Sequence, residues 1–239
     1  MFRIIFTFIL LTVGCPLAMA ADQPGEAATP GRVMDAHNTP SEFEKSFTDL
    51  WAYRSVTYEI YHHDATKLAS LAYALARHTN DIDASLAPER FVAGVKGFHY
   101  QLSQVCDWLN DLAAGKSADP AMDEMILVGL LLQDKIITIK NGRIVPAGSV
   151  SHILGAAPGR QRTFADNLRH ERLHILWDEN PAFKEKGLQD WNNLSAEEKE
   201  GERKNYSRYA KGNDELLIEE WAIERAEKSG LDPTSAATK

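Results

Sequence analysis

Residues 169–180 read "RHERLHILWDEN", with His170 and His174 four positions apart and Glu171 directly after the first. On an α-helix, positions i and i+4 share a face, so the two imidazoles can present nitrogens to one cation. Glu171 falls one position further round, where a carboxylate could take a proton from a metal-bound water without being a ligand itself. The order His-Glu-x-x-His thus supplies two ligands and a general base. The plainer reading is a charged helix face on which the histidines pair with acids such as Asp178. With 8 histidines in 239 residues the pattern rarely arises by chance, least of all on a capped helix. Thr163 can cap one that runs through the whole stretch until Asn180-Pro181 stops it.

A catalytic metal needs a third protein ligand and an open position. Trp177 and Asn180 exclude the arrangement in which a glycine and a third histidine follow the first pair directly. Further on, "IEEWAIERAE" (218–227) offers Glu219, Glu220, Glu224 and Glu227. At 100° per residue Glu219 falls among Leu216, Ile218, Ala222, Ile223 and Ala226, while the other three cluster on the opposite, polar arc. A carboxylate amid an apolar face is costly unless a cation offsets its desolvation, so Glu219 is the expected third ligand. A buried salt bridge to Arg172 or Arg208 is the competing account of Glu219, and Glu220 is the reserve ligand should the helix be rotated.

"HERLH" followed by the Glu-x-aromatic-Ala of "EEWA" resembles the gluzincins, the zinc peptidases related to thermolysin and the aminopeptidase group. The resemblance runs from His170 to Ala226, with a longer interval between the motifs than in thermolysin's group, and the first half of the chain resembles no family. It implies one zinc ion held by His170, His174 and Glu219, Glu171 as base, and a protein or peptide substrate. Folds of that group place an edge strand before the active-site helix, against which an extended substrate pairs. The hairpin around Asn141-Gly142 stands in the right order for this, and equally suits a structural ribbon. Tyr206, Tyr209 and His152 are candidates for stabilising the oxyanion, and that role stays open. Two rivals keep the same residues: a catalytically silent zinc-binding envelope protein, and a metal-free helical interaction protein.

Helix signals dominate the first half. Ser41 and Glu44 form a capping box ahead of a run through Tyr61, and Asp64 can cap a helix ending near Arg77. Pro88 opens a long run to Ala114, and Asp119-Pro120 opens another to about Gln133. That last run contains "MILVGLLL", apolar all round but too short to span a bilayer, which reads as a central core helix. "KIITIKNGRIVPAG" is the one convincing strand pair, and "SHIL" is a further extended piece. Ser195 and Glu198 box a charged helix to about Lys211, and Asn213 or Asp214 starts the last one, which ends at Gly230. His62-His63-Asp64 reads as a helix boundary, whereas His37, His78 and His99 have no partner at ligand spacing. The expected fold is α+β and predominantly helical: N-terminal helices, one hairpin, a zincin-like active-site helix and a distal Glu-bearing helix.

Composition frames these elements. With 44% hydrophobic and 25% charged residues the chain has the make-up of a folded domain, and its net charge of -8 argues against nucleic acid as a partner. Residues 1–20, with Arg3, an apolar run and Ala18-Met19-Ala20, read as a signal peptide for export to the periplasm and not as a stable membrane span. In the alternative, "TVGC" is a poor lipoprotein box and Cys15 a lipid anchor. Cleavage after Ala20 leaves only Cys106, expected as a buried thiol. Residues 21–40, rich in Pro, Gly and Ala, read as a flexible arm. Residues 41–239 then form a single catalytic domain, with a helical half at 41–134 and the hairpin and metal site at 135–239. An envelope partner is a further expectation.

Overall fold

The segment Thr57–Tyr61, "TYEIY", alternates two sets of side chains across a strand that is buried along its whole length. Tyr58 and Ile60 enter one apolar cluster, while Tyr61 enters another on the opposite face. This is the period of two that a doubly covered strand requires. The chain is represented by a computed structural model that describes residues 31–34, 41–49, 51–83, 85–117, 122–206 and 214–236. The expected signal peptide and Cys15 lie outside the described residues, and no helix among those described is long and apolar enough to cross a membrane.

In chain order the elements are β1 (Gly31–Val33), α1 (Ser41–Thr48), a 3-10 turn at Arg54–Val56, β2 (Thr57–Tyr61), α2 (Ala65–Ser70), α3 (Tyr73–His78) and α4 (Pro88–Gly94). There follow β3 (Gly97–Gln101), α5 (Leu102–Ala113), α6 (Met122–Gln133), β4 (Ile137–Lys140), β5 (Arg143–Pro146) and β6 (His152–Ala156). The last part is helical: α7 (Phe164–Glu179), α8 (Pro181–Asn192), α9 (Ala196–Asn205), α10 (Asp214–Lys228) and α11 (Pro233–Ala236). The fold is α+β and predominantly helical.

Its centre is a four-stranded sheet in the order β1-β2-β6-β3, with β1, β2 and β6 parallel and β3 antiparallel at one edge. One face packs on α2 to α6 through Tyr58, Ile60, Phe98, Tyr100 and Ile153. The other receives α7, where Tyr61, Leu154 and Ala156 meet Phe164, Leu168 and Ile175. The far side of α7 is covered in turn by α8 and α10 through Leu173, Leu176, Trp177, Trp191, Trp221 and Ile223. α7 is therefore an inner layer, which is why it shows no single apolar stripe.

Several expectations change here. The helix expected from Ser41 through Tyr61 stops at Thr48 and is followed by β2, and the run expected from Pro88 to Ala114 is interrupted by β3. Caps mark where a helix starts and say little about where it stops. Gly31–Val33 of the expected arm pairs in parallel with Glu59–Tyr61, so that part is a strand. The "MILVGLLL" helix is peripheral: Leu127, Val128 and Leu131 are buried, whereas Met122, Met125 and Ile126 are exposed. Asp64 does cap α2, accepting from Thr66 N and Lys67 N at 2.8 and 3.3 Å. Cys106 is buried, and burial pushes its thiol up to about 11.

The hairpin forms as its turn signal requires, with Asn141 and Gly142 both at positive φ, 53° and 73°. It stands apart from the main sheet, however. The Asn110 side chain on α5 donates to Ile144 O and accepts from Ile144 N, both at 2.9 Å, which fastens the ribbon to α5 and not beside α7. The strand that borders α7 at the sheet edge is β3. Its register is set where the Phe98 ring covers Gly155: a Cβ on Gly155 would stand 2.5 Å from that ring.

Candidate metal centre

α7 starts at a reciprocal cap. Thr163 N donates to Asp166 Oδ2 at 3.0 Å, and Asp166 N donates to Thr163 Oγ1 at 3.1 Å. Its rotation about its own axis is set by Arg172, whose Nε and Nη2 donate to Glu59 Oε1 and Oε2 at 2.9 and 3.1 Å. Glu59 is fully buried on β2 and also accepts from Arg54 Nη1 at 2.8 Å and from the Tyr61 hydroxyl. With Arg172 turned to the sheet, His170 and His174 turn toward α10.

Both imidazoles are held from behind. His174 Nδ1 lies 2.6 Å from Glu219 Oε1, and His170 Nδ1 lies 3.1 Å from Glu227 Oε2, with Arg162 on the other oxygen of Glu227. An ionised carboxylate only accepts, so each Nδ1 carries the proton and a neutral ring leaves its lone pair on Nε2. These two Nε2 atoms face one another at 3.3 Å. Glu220 completes the group, with Oε2 3.5 Å from His170 Nε2 and Oε1 3.6 Å from His174 Nε2. Three acceptors thus converge in a buried space, an arrangement that is stable only with protons or a cation between them.

Without a metal the protons come from the histidines. Burial alone would lower both rings, but Glu220 and Glu227 outweigh it at His170, pushed up to about 10, and Glu219 with Glu220 outweighs it at His174, pushed up to about 9. A tetrahedral ion with bonds of ~2.0–2.1 Å has ligand-to-ligand edges of roughly 3.3–3.4 Å. The Nε2–Nε2 separation of 3.3 Å matches such an edge, while the 3.5 and 3.6 Å separations run to different oxygens of Glu220, so that carboxylate would have to turn to offer a cation one oxygen or straddle it with both.

Glu171 is buried between these rings and β3. Burial raises its carboxyl to about 6, against the lowering pull of His170 and His174. A Cβ on Gly97 would stand 2.3 Å from Glu171 Oε1, so only glycine lets the strand come this close to the carboxylate. Tyr100 and Asp81 lie nearby, and Asp81 is raised to about 6 by burial, with Glu219 and Glu220 adding to the rise.

The expected ligand set is therefore brought together with one change. His170 and His174 converge, but Glu219 meets His174 on Nδ1, behind the ring, and the carboxylate facing both Nε2 atoms is that of Glu220. The phase reading assumed one apolar arc on α10. The helix is instead buried on most of its circumference, and Glu220 sits between Leu217 and Ile223 on the arc facing α7. Arg172 is not the partner of Glu219, because Glu59 holds it, and Arg208 and Tyr209 lie outside the described residues. Tyr206 packs its hydroxyl toward Glu224, and His152 belongs to a separate cluster with His99 and Asp178. Glu59, Gly97 and His99 were not legible as site residues, since each acts across elements with no sequence spacing to connect them, and the phase reading puts Glu227, one of the glutamates offered on α10, on the polar arc and not behind His170.

Comparison of the chain with protein-family models, with curated proteins and with solved structures finds no match.

Proposed function

We propose that this chain is an exported zinc-dependent peptidase, with one catalytic zinc ion held by His170, His174 and Glu220 and with Glu171 as general base. The observation that carries the reading is the convergence of two Nε2 atoms, 3.3 Å apart, on one carboxylate whose two oxygens lie 3.5 and 3.6 Å from them. Glu220 replaces Glu219 as the third ligand, and Glu219 and Glu227 become the outer carboxylates that fix the tautomer and orientation of each imidazole.

Zinc, when bound, supplies a Lewis acid that polarises a carbonyl and lowers the pKa of water. Glu171, with its carboxyl near 6, is ionised at neutral pH and can accept the proton of the attacking water. The carboxylic acid so formed lies close enough to its ordinary range to hand that proton on to the leaving amine. Burial of Glu171 keeps the proton from bulk solvent. The edge strand β3, with Gly97 against Glu171, suits an extended peptide laid along it in β-fashion, a role for which the hairpin was one candidate. Export to the periplasm, and a protein or peptide as the partner, complete the reading.

The test begins with metal analysis of protein purified without added zinc, followed by incubation with a denatured-protein or peptide library. Wild type should retain about one equivalent or more and cleave, and Glu171→Gln should keep the metal and lose cleavage. Absence of bound metal after zinc dialysis would sink the reading. Bound metal with wild type and variant equally inert would transfer the centre to a binding role.

A further inference from the structure

His99, His152 and Asp178 come from β3, β6 and the last turn of α7, and nothing in their sequence spacing links them. His99 Nε2 and His152 Nδ1 are 3.1 Å apart. Asp178 Oδ2 lies 3.6 Å from the first and 3.8 Å from the second. We propose that these three side chains form a second divalent-cation site, selective for zinc and similar transition metals, separate from the His170, His174 and Glu220 centre.

The geometry repeats the logic of the first centre with different residues. His152 Nε2 lies 2.7 Å from Glu179 Oε1, so it is the protonated nitrogen and the Nδ1 lone pair points to His99 and Asp178. Asp178 is oriented from outside, where Gln101 Nε2 donates to Oδ2 at 3.2 Å. Both histidines are largely buried, the His99 ring stacks on that of His174 at 5.6 Å between centroids, and two carboxylates, Asp178 and Glu179, border the cluster, with no lysine or arginine paired to it among the described residues. A cation would offset that charge. Two imidazoles and one carboxylate favour zinc, cobalt or nickel over magnesium or calcium, which prefer oxygen. A pocket of about 360 Å³ reaches the cluster from the surface, lined by Gln101, Ser149, Ser151, His152, Asp178 and Glu179. It provides an entry path and space for water to complete the coordination.

The neutral alternative is a plain hydrogen bond between the two rings. The experiment uses the full chain, dialysed against zinc chloride and analysed for bound metal, with cobalt absorption as a second probe. Two equivalents are expected for wild type. Asp178→Asn and His152→Gln should each lose one, binding the second ion at least ten times more weakly, while Glu220→Gln loses the other. Wild type saturating at one equivalent that Glu220→Gln removes and Asp178→Asn leaves intact would overturn the proposal. One equivalent lost in Asp178→Asn and kept in Glu220→Gln would instead uphold it and defeat the catalytic reading. Should a variant fail to fold, wild type alone decides: the ring resonances of His152 must shift as the second equivalent is added, and their constancy to saturation overturns the site.

Discussion

Replacing Glu220 with glutamine removes the anionic donor that stands 3.5 and 3.6 Å from the two Nε2 atoms, while Glu219→Gln, one residue away, leaves all three facing donors in place. In the second variant the new side-chain oxygen can still accept the Nδ1 proton of His174, which Glu219 Oε1 meets at 2.6 Å, so only charge and basicity are lost. Losses of outer partners of this type weaken metal binding ~10–100-fold, or about 1.4 to 2.7 kcal/mol. Removal of a ligand itself should exceed the outer effect by a further factor of about ten or more. Competition titration of zinc against a chromophoric chelator at fixed pH reads both, with thermal melting to confirm the fold. Near-native affinity in Glu220→Gln, with the metal lost in Glu219→Gln, would refute the assignment and restore Glu219 as the ligand.

Gly97→Ala would place a methyl 2.3 Å from Glu171 Oε1, and the carboxylate can escape only by moving roughly 1 Å, a misplacement that costs on the order of 100-fold in kcat/KM. Zinc content should stay at the wild-type value, because no proposed ligand is touched, whereas the melting temperature should fall, because the methyl also stands 2.7 and 2.8 Å from Cδ and Cγ of the buried Glu171. In the metal-free protein, His170 and His174 have folded pKa values of about 10 and 9, raised above the ordinary value of 6.5. Their stabilisation is complete below pH ~6.5 and is lost as pH rises through 9 to 10, so the metal-free melting temperature should fall across that window. Zinc must displace both protons, so its affinity should rise by up to about 100-fold per pH unit between 6.5 and 9, as read by the same titration. Glu59→Gln leaves Arg172 and Arg54 without their shared buried carboxylate and should destabilise the fold by ~3–5 kcal/mol in chemical denaturation.

The parts of the site that were legible in the sequence are those governed by one helix. His170, Glu171 and His174 lie within a single turn, and Thr163 and Asn180 mark the ends of their helix without reference to the rest of the molecule. The Asn141-Gly142 turn was equally local. What escaped was non-local. The strands β2 and β3 stand where caps upstream suggested longer helices. Glu59 is polar because it receives Arg172 from the helix above it, which no pattern within the strand could reveal. The choice between Glu219 and Glu220 was hard to read for the related reason that α10 is buried on most of its circumference, so no single apolar arc marks its phase.

The contact of Phe98 with Gly155 acts as a reading frame for the whole polar interior. Strand neighbours alternate between faces, so a one-residue insertion or deletion ahead of β3 would turn Phe98 and Tyr100 toward α7 and send Gly97 and His99 into the apolar layer beneath. That one change would take His99 out of its cluster and the glycine away from Glu171, though no proposed ligand had been substituted. The chemistry proposed for this chain thus depends on the length of the segment from Gly94 to Gly97 as well as on the identity of the ligands.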